Sequence, residues 1–378
     1  MLLKNALVYR NTTHSFEFAD VRIENGVIAE IGNISTADDQ VLDMNGKAIV
    51  PGLVDVHTHG RAGCDFVSAT AEDLSKMALD YAKHGVTTVM PTVASAPLDD
   101  MIAAVDRINR FVPDDSEADF CGVHLEGRYL NPKRKGAHAD ELICSLNADE
   151  LENEVFRMCR SLQISAAWEL DKDGSFAKKA REIGATLSLG HTDATYDQSR
   201  KAEADGVCAY THLFNTMPPF HHRDGGAICA ALTGDRFAEL ICDGIHIAPQ
   251  MIRLAYMCLG SKRTVLISDS MEAAGCPDGE YSIAGNPAIL KNGIARTPEG
   301  ALAGSTLTLD SAVNNLIDYC DIPLAEAILS ATENPARQIG VFDSCGSIDI
   351  GKRADMLVLK NTERLEIINV CVNGKFIK

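Results

Sequence analysis

The chain has 378 residues, 46% of them hydrophobic, which suits one large α/β barrel with an accessory piece and exceeds a single small module. Its 35 basic and 53 acidic residues leave a net charge of −18, which argues against nucleic acid or an anionic membrane surface as a general partner. No run approaches the roughly 18 apolar residues of a membrane span, MLLKNALVYR carries no export signal, and the 12 cysteines show no CxxC spacing, so a cytoplasmic protein with reduced, buried thiols (Cys208, Cys229, Cys242, Cys258) is expected.

In chain order, the first fifty residues read as β structure. LKNALVY, DVRIENGVIAEIG and VLDMNGKAIV are rich in β-branched residues, and Asn25-Gly26 and Asn45-Gly46 are tight-turn dipeptides. From Pro51 to Phe342, short apolar runs alternate with helix-sized intervals: VDVHTH, VTTVMPT, CGVHLEG, ISAAWEL, TLSLGHT, VCAYTHLF, AELICDGIH and TVLISDS. These are the eight strands of a (β/α)8, TIM-like barrel. One connecting helix is explicit, with Leu74, Met77, Ala78, Tyr81 and Ala82 at i, i+3, i+4, i+7 and i+8 and Gly85 ending the run. Residues 277–304, with GEYSIAG and KNGIARTPEGAL, read as a β insertion after the last barrel strand. Residues 343–378 return to the texture of the N-terminus and include Asn373-Gly374. Segments 1–50 and 343–378 are therefore expected to meet as a small β-sandwich beside an α/β barrel spanning 51–342.

Nearly every predicted barrel strand ends in a residue able to bind metal or move protons. The first ends in His57-Thr58-His59, the third in Glu126 and the fifth in His191; His212, His246 and Asp269 lie at or just beyond the ends of the last three. A lone histidine on an apolar strand is ordinarily a hydrogen-bonded core residue. Six strand ends agreeing is different, because these ends converge on the one mouth where barrel active sites sit. His57 and His59, two apart, share a face. Imidazole nitrogen and carboxylate oxygen suit a hydrolytic Zn²⁺ or Fe²⁺ rather than a closed structural zinc site. His124 and Glu126 are also two apart, so spacing leaves open which is the ligand. His221-His222-Arg223 lies in a loop after the sixth strand, and is either a solvated polar loop or a basic spot for an anionic group.

HTHG at 57–60, HLEG at 124–127, NPKRKGAH ending at His138, LGHT ending at Thr192, THLFNTMPP at 211–219, DGIH at 243–246, ISDS around Asp269 and LAGS at 302–305 follow one another in order. Together they resemble the amidohydrolase superfamily and, more closely, its N-acetylglucosamine-6-phosphate deacetylase family, over essentially the whole chain. The resemblance implies Glu126, His191 and His212 as ligands of a principal metal, deciding between His124 and Glu126 in favour of the latter. It implies His57 and His59 as the pair that binds a second metal in some relatives. One or two divalent ions per chain are expected, zinc first, with iron or manganese as alternatives. Asp269 would be the catalytic acid/base, and His138 would polarise the amide carbonyl. Ala137, His138, Asn215, Thr216, Asp243, Gly244, Ile245, His246, Ala303, Gly304 and Ser305 would line the sugar site. Arg223 would hold the 6-phosphate, reaching from the neighbouring subunit of a homodimer.

The implied reaction is metal-dependent hydrolysis of the acetamide of N-acetylglucosamine 6-phosphate to glucosamine 6-phosphate and acetate, in amino-sugar catabolism. Alternatives are deacetylation of N-acetylgalactosamine 6-phosphate, another amidohydrolase reaction, or a non-catalytic scaffold. The sequence departs from the family pattern at Arg128-Tyr129, Trp168 and Thr216. Arg128 is expected to bring a charge beside the metal loop, and Thr216 to tighten the sugar pocket.

Overall fold

The computed structural model describes residues 1–36 and 40–377. Ala37, Asp38, Asp39 and Lys378, which fall in the expected terminal β segments, lie outside the described residues.

All eight predicted runs contain barrel strands: Leu53–Thr58, Val86–Ala94, Val123–Glu126, Leu162–Ala166, Thr186–Leu189, Val207–Tyr210, Phe237–Ile241 and Thr264–Ile267. Each pairs in parallel with the next. The ring is drawn together between the eighth and the first, where the Asp269 amide donates to the His57 carbonyl at 2.9 Å and the His59 amide to the Ser270 carbonyl at 2.7 Å. Strands covered on both faces have no solvent side to make polar, which is why they read as continuous apolar runs. The fourth run is the exception, since the chain leaves the strand at Ala166 and Trp168–Leu170 turns as a 3₁₀ helix.

The helix Ala71–Lys83 shows how the outer layer is specified. Thr70 and Asp73 cap its start reciprocally, and Leu74, Met77, Ala78, Tyr81 and Ala82 are its buried face. Truncating Leu74 or Met77 to alanine would cost about 2–5 kcal/mol. Beyond its end, Gly85 takes φ +80, and a Cβ there would lie 2.6 Å from Ile367 Cδ1, so both the turn and the packing demand glycine.

The two chain ends meet in one continuous eight-stranded sheet. Its central strand, Ala48–Pro51, runs parallel to Leu2–Arg10 and antiparallel to Met356–Leu359. Alternating side chains serve two cores. Leu3, Val21, Ile49, Met356 and Val358 close over a core belonging to the sheet, whereas Tyr9, Val50, Leu357 and Leu359 join the main core. Arg353, in the closing GKRADMLVL segment and paired with Asp355 beside it, ties this sheet to the barrel through Asp119 and Thr88 Oγ1. The expected insertion is a three-stranded antiparallel sheet, Gly279–Ile283, Asn286–Lys291 and Ile294–Arg296.

All twelve cysteines are free, but not all are buried: Cys208 and Cys229 are partly exposed, and Cys258 stands exposed on the helix Pro249–Leu259. An apolar neighbourhood in sequence did not put Cys258 on the helix's inner face, which belongs to Ile252, Ala255, Tyr256 and Leu259. Among the described residues no helix is long and apolar enough to cross a membrane.

Candidate active site

Side chains from five barrel strands or the turns just beyond them converge at one end of the ring. Glu126, ending the third strand, stands between two groups of histidines. Its Oε1 lies 2.9 Å from His212 Nε2 and 3.3 Å from His191 Nε2, while its Oε2 lies 3.2 Å from His57 Nε2 and 3.1 Å from His59 Nε2. Asp269 completes the second group, with Oδ1 at 3.4 Å from His57 Nε2 and 3.1 Å from His59 Nε2. Within each triad, His57–His59–Asp269 and Glu126–His191–His212, the donor atoms all lie within 4.8 Å of one another.

The backbone bends sharply to aim these groups. His191, His212 and Asp269 have φ of 46, 29 and 47, a region that costs non-glycine residues on the order of 1–3 kcal/mol each. Hydrogen bonds hold all three bends: the His191 carbonyl accepts from the Asn131 amide at 2.9 Å, that of His212 from the Asn215 amide at 2.9 Å, and that of Asp269 from the Ser305 amide at 2.7 Å.

The donor set fits a divalent metal ion. His57 Nε2 is buried with no hydrogen-bond partner. His191 Nε2 and His212 Nε2 face each other at 3.1 Å, an arrangement of two ring nitrogens that a shared proton or cation satisfies. His191 donates its Nδ1 hydrogen to the Arg134 carbonyl at 2.8 Å, which leaves the Nε2 lone pair facing Glu126 and His212. His124 lies outside the set, because its Nδ1 pairs with Thr92 Oγ1 at 3.0 Å and its Nε2 with Ser165 Oγ at 2.7 Å.

Burial disfavours charge on every group here, yet the two signs sustain each other in the metal-free chain. Against burial, Asp269 and Glu126 hold the His59 imidazole protonated up to about 9, and the same carboxylates hold His57 well above its usual value. Against burial again, His57 and His59 bring the Asp269 carboxyl down to about 2. His138 goes the other way: burial, and then the nearby His191, keep it well below the usual histidine range and so neutral. Its Nδ1 lies 2.8 Å from Ser95 Oγ, and Ser95 Oγ also accepts the Arg128 amide at 2.9 Å. Ser95 Oγ, which takes the Arg128 amide on one lone pair and meets the His138 ring with the rest of its hydrogen-bonding capacity, fixes the orientation of that ring.

A cavity of about 220 Å³ opens over the cluster. Of the residues expected at a sugar site, Ala137, His138, Asn215, Thr216, His246 and Gly304 line it. Asp243, Ile245 and Ser305 instead line an adjoining cavity of about 240 Å³ that shares His246 and Gly304. Asp243 serves His246, accepting its amide at 2.8 Å and pairing with its Nδ1 at 2.7 Å. Ala303 is fully buried among the core residues of the insertion, and Gly244 turns the chain at φ +74 without lining either cavity. Arg223 also lines neither, being exposed with Nη1 2.9 Å from His222 Nε2.

Sequence reasoning missed Gly136, Ile283, Ala301 and Leu302 as cavity walls, Ser95 behind His138, and Glu239 behind His57. The one available signal was Glu239, a charge inside the apolar run AELI. The departures resolve individually. Arg128 does not bring its charge to the cluster, since φ 64 turns the side chain toward Glu150 at 3.3 Å and the Ala96 carbonyl at 3.4 Å. Trp168 packs beside Phe176 and donates to the Ser188 carbonyl at 2.7 Å. Thr216 lines the cavity, and its Cγ2 lies 2.9 Å from where a Cβ on Gly136 would stand, so the close approach there uses the absent side chain of Gly136.

A barrel with His, Glu and Asp metal-ligand groups at its strand ends is the architecture of a metal-dependent hydrolase. The chain belongs to the amidohydrolase family, whose model matches residues 48–377. It is 37% identical to the N-acetylgalactosamine-6-phosphate deacetylase of Escherichia coli O157:H7 over 94% of this chain and 93% of that protein. It is 34% identical to the N-acetylglucosamine-6-phosphate deacetylase of Vibrio furnissii over 91% of this chain and 87% of that one. Its fold matches a mutant of N-acetyl-D-glucosamine-6-phosphate deacetylase from Mycobacterium smegmatis, solved in complex with N-acetyl-D-glucosamine-6-phosphate, with a TM-score of 0.89, 29% identity, and 100% and 98% of the two chains covered.

Proposed function

We propose that this protein hydrolyses the acetamide of N-acetylglucosamine 6-phosphate, releasing acetate and glucosamine 6-phosphate. The observation that carries this reading is Glu126 standing between two histidine groups beside Asp269, in a chain that aligns almost end to end with sugar-phosphate deacetylases. Glu126, His191 and His212 would hold one ion, and His57, His59 and Asp269 a second. The chemistry such an ion supplies when bound is acidification of water to a pKa of about 7 and polarisation of a carbonyl.

The chain's own residues do the rest. Asp269 accepts the proton of the attacking water and passes it to the amide nitrogen, which leaves poorly unless protonated. His138, kept neutral by burial, would donate its ring hydrogen to the oxygen that gains charge as the carbonyl becomes tetrahedral, an effect typically worth about 3–4 kcal/mol per donor. Ala137, Asn215, Thr216, His246 and Gly304 would border the sugar. Asp243 would hold His246 in place from behind, with Gly244, Ile245, Ala303 and Ser305 shaping that wall.

A second reading, deacetylation of N-acetylgalactosamine 6-phosphate, is favoured by the 37% identity to an enzyme of that name. Steady-state assay of both epimers decides. A kcat/KM at least tenfold higher for the glucosamine derivative is expected, and the reverse order would transfer the assignment to its epimer.

We further infer zinc as the resident ion, from the nitrogen-rich donor set. Arg223, exposed and outside the cavities of its own chain, supports a homodimer in which it meets the phosphate of the neighbouring site. The cytoplasm is the inferred compartment, in keeping with twelve free thiols. Residues 1–50 with 343–378 are read as one unit and 51–342 as the catalytic unit, with the insertion at 277–304.

A further inference from the structure

Beneath the metal-ligand cluster the barrel interior is polar, and it holds a carboxylate that belongs to no ligand triad yet reaches a ligand imidazole. Glu239 lies on the seventh strand, fully buried. Its Oε2 is 3.1 Å from His57 Nδ1 and 3.4 Å from the His212 backbone amide. Its Oε1 accepts from Gln338 Nε2 at 2.6 Å and from Gln163 Nε2 at 3.2 Å. The first, fourth and seventh strands are not neighbours in the ring, so these contacts cross its interior.

We propose that Glu239 is a positioning residue that locks the His57 ring with a hydrogen on Nδ1 and its Nε2 directed at Glu126 and Asp269, so that Nε2 is the atom left to ligate an ion. The proposal rests on the metal-binding reading above and goes beyond it by assigning the group that prepares the His57–His59–Asp269 position. Every contact to the Glu239 carboxylate comes from a group able to donate, and an ionised carboxylate only accepts, so His57 must supply the hydrogen from Nδ1. At the far side of the ring the buried Nε2 faces the Glu126 and Asp269 carboxylates, at 3.2 and 3.4 Å.

Elsewhere in the two triads the Nδ1 atoms are treated differently. That of His191 uses a neutral backbone carbonyl, and those of His59 and His212 are buried without hydrogen-bond partners. Among the described residues, Glu239 is thus the one carboxylate outside the ligand triads that binds a cluster imidazole. A full charge at Nδ1 makes Nε2 a stronger donor than a carbonyl does, and outer partners of this kind change metal affinity by about 10- to 100-fold. The alternative is a core glutamate that serves only to satisfy Gln163 and Gln338.

The test uses the metal-loaded enzyme and its Glu239→Gln and Glu239→Asp variants, with histidine ring nitrogens labelled for NMR and ion affinities read by chelator competition with Zn²⁺. In the wild type, His57 should carry its hydrogen on Nδ1. In Glu239→Gln, affinity at the His57–His59–Asp269 position should fall about 10- to 100-fold, with the Glu126–His191–His212 position changed less than about threefold and the Nδ1-protonated population of His57 reduced. Glu239→Asp, which keeps the charge, should recover part of both. Wild-type affinity with an unchanged tautomer in Glu239→Gln overturns the proposal, and so does equal loss at both positions. If Glu239→Gln fails to fold, the wild-type tautomer decides, since hydrogen on Nε2 overturns the proposal and hydrogen on Nδ1 supports it. A wild-type chain that takes up only one ion refutes the two-ion reading, and the tautomer of His57 still settles the role of Glu239.

Discussion

Oδ1 of Asp269 lies 3.1 Å from Nε2 of His59, while the Asp269 amide donates to the carbonyl of His57 at 2.9 Å, so one residue both closes the ring and faces its cavity. The backbone contact is indifferent to the side chain. Asp269→Asn should therefore keep the fold and bind substrate normally, yet lower kcat by about three orders of magnitude or more, because an amide cannot carry the proton. Parallel elemental analysis separates the roles: metal content lost along with activity would make Asp269 chiefly a ligand. Near-normal turnover would remove it from the mechanism.

Two triads, with Glu126 of one also facing His57 and His59 of the other, predict close to two ions per chain. Exhaustive chelation should abolish turnover, and Zn²⁺, Fe²⁺ or Mn²⁺ should restore it. The pH dependence has a definite sign. In the metal-free chain His59 keeps its proton up to about 9, and that proton must leave before Nε2 can ligate. Affinity at this position should rise with pH and level off above about 9, with protons released on binding at pH 7.5. Pulsed metal addition in weakly buffered indicator solution measures the release, and absence of any release would contradict the protonation assigned here.

Arg223 is the expected phosphate group, although it is exposed and lines no cavity of its own chain. Arg223→Ala should lower kcat/KM for the sugar phosphate by roughly 30- to 1,000-fold, the equivalent of about 2–4 kcal/mol, and barely touch the poor rate on the unphosphorylated sugar. Mixing Arg223→Ala and Asp269→Asn chains should regenerate one competent site per heterodimer. Heterodimers without recovered activity would place the phosphate contact within a single chain.

Asp55 predicts a pH-dependent stability unrelated to turnover. Its Oδ1 accepts the amides of His57 at 3.4 Å and Ser268 at 3.3 Å, but its Oδ2 has no partner, and burial raises the carboxyl from 3.8 to about 6. Between those values the folded chain keeps a proton that the unfolded chain has lost, so stability falls as pH rises through this window and stays lower above it. Asp55→Asn removes that dependence. In urea titrations of metal-free protein, the variant should gain on the order of 1–3 kcal/mol over wild type at pH 7.5 relative to pH 4. A difference independent of pH would show that Asp55 does not titrate there.

The barrel was legible because its strands are buried on both faces, and the site because six strand ends carried ligand-type residues. What stayed hidden depends on distance along the chain. His124 and Glu126 share a face, and only their height in the barrel separates them, with His124 at the level of Thr92 and Ser165 and Glu126 at the mouth. Glu239 was visible as a charge in an apolar run, but its partner His57 is 182 residues away. Arg128 sits beside the metal loop in sequence, yet a positive φ and Glu150 carry its charge elsewhere. Ile283 reads as any residue of a β insertion until that sheet is seen to form part of the cavity wall.

The sheet that joins the chain ends also imposes a timetable on synthesis. Ala48–Pro51 leads through Gly52 alone into the strand bearing His57, and its antiparallel neighbour is Met356–Leu359. A ribosome delivers that neighbour only after every barrel strand has emerged, and until then one edge of Ala48–Pro51 is open. The next strand, bearing His57, does not wait in this way, since its partners Val86–Ala94 and the Asp269–Ser270 segment precede Met356–Leu359 in the chain. A nascent or C-terminally clipped chain would therefore hold every residue of both triads before the terminal sheet is whole, and the last residues synthesised would govern only when the open edge beside the barrel is covered.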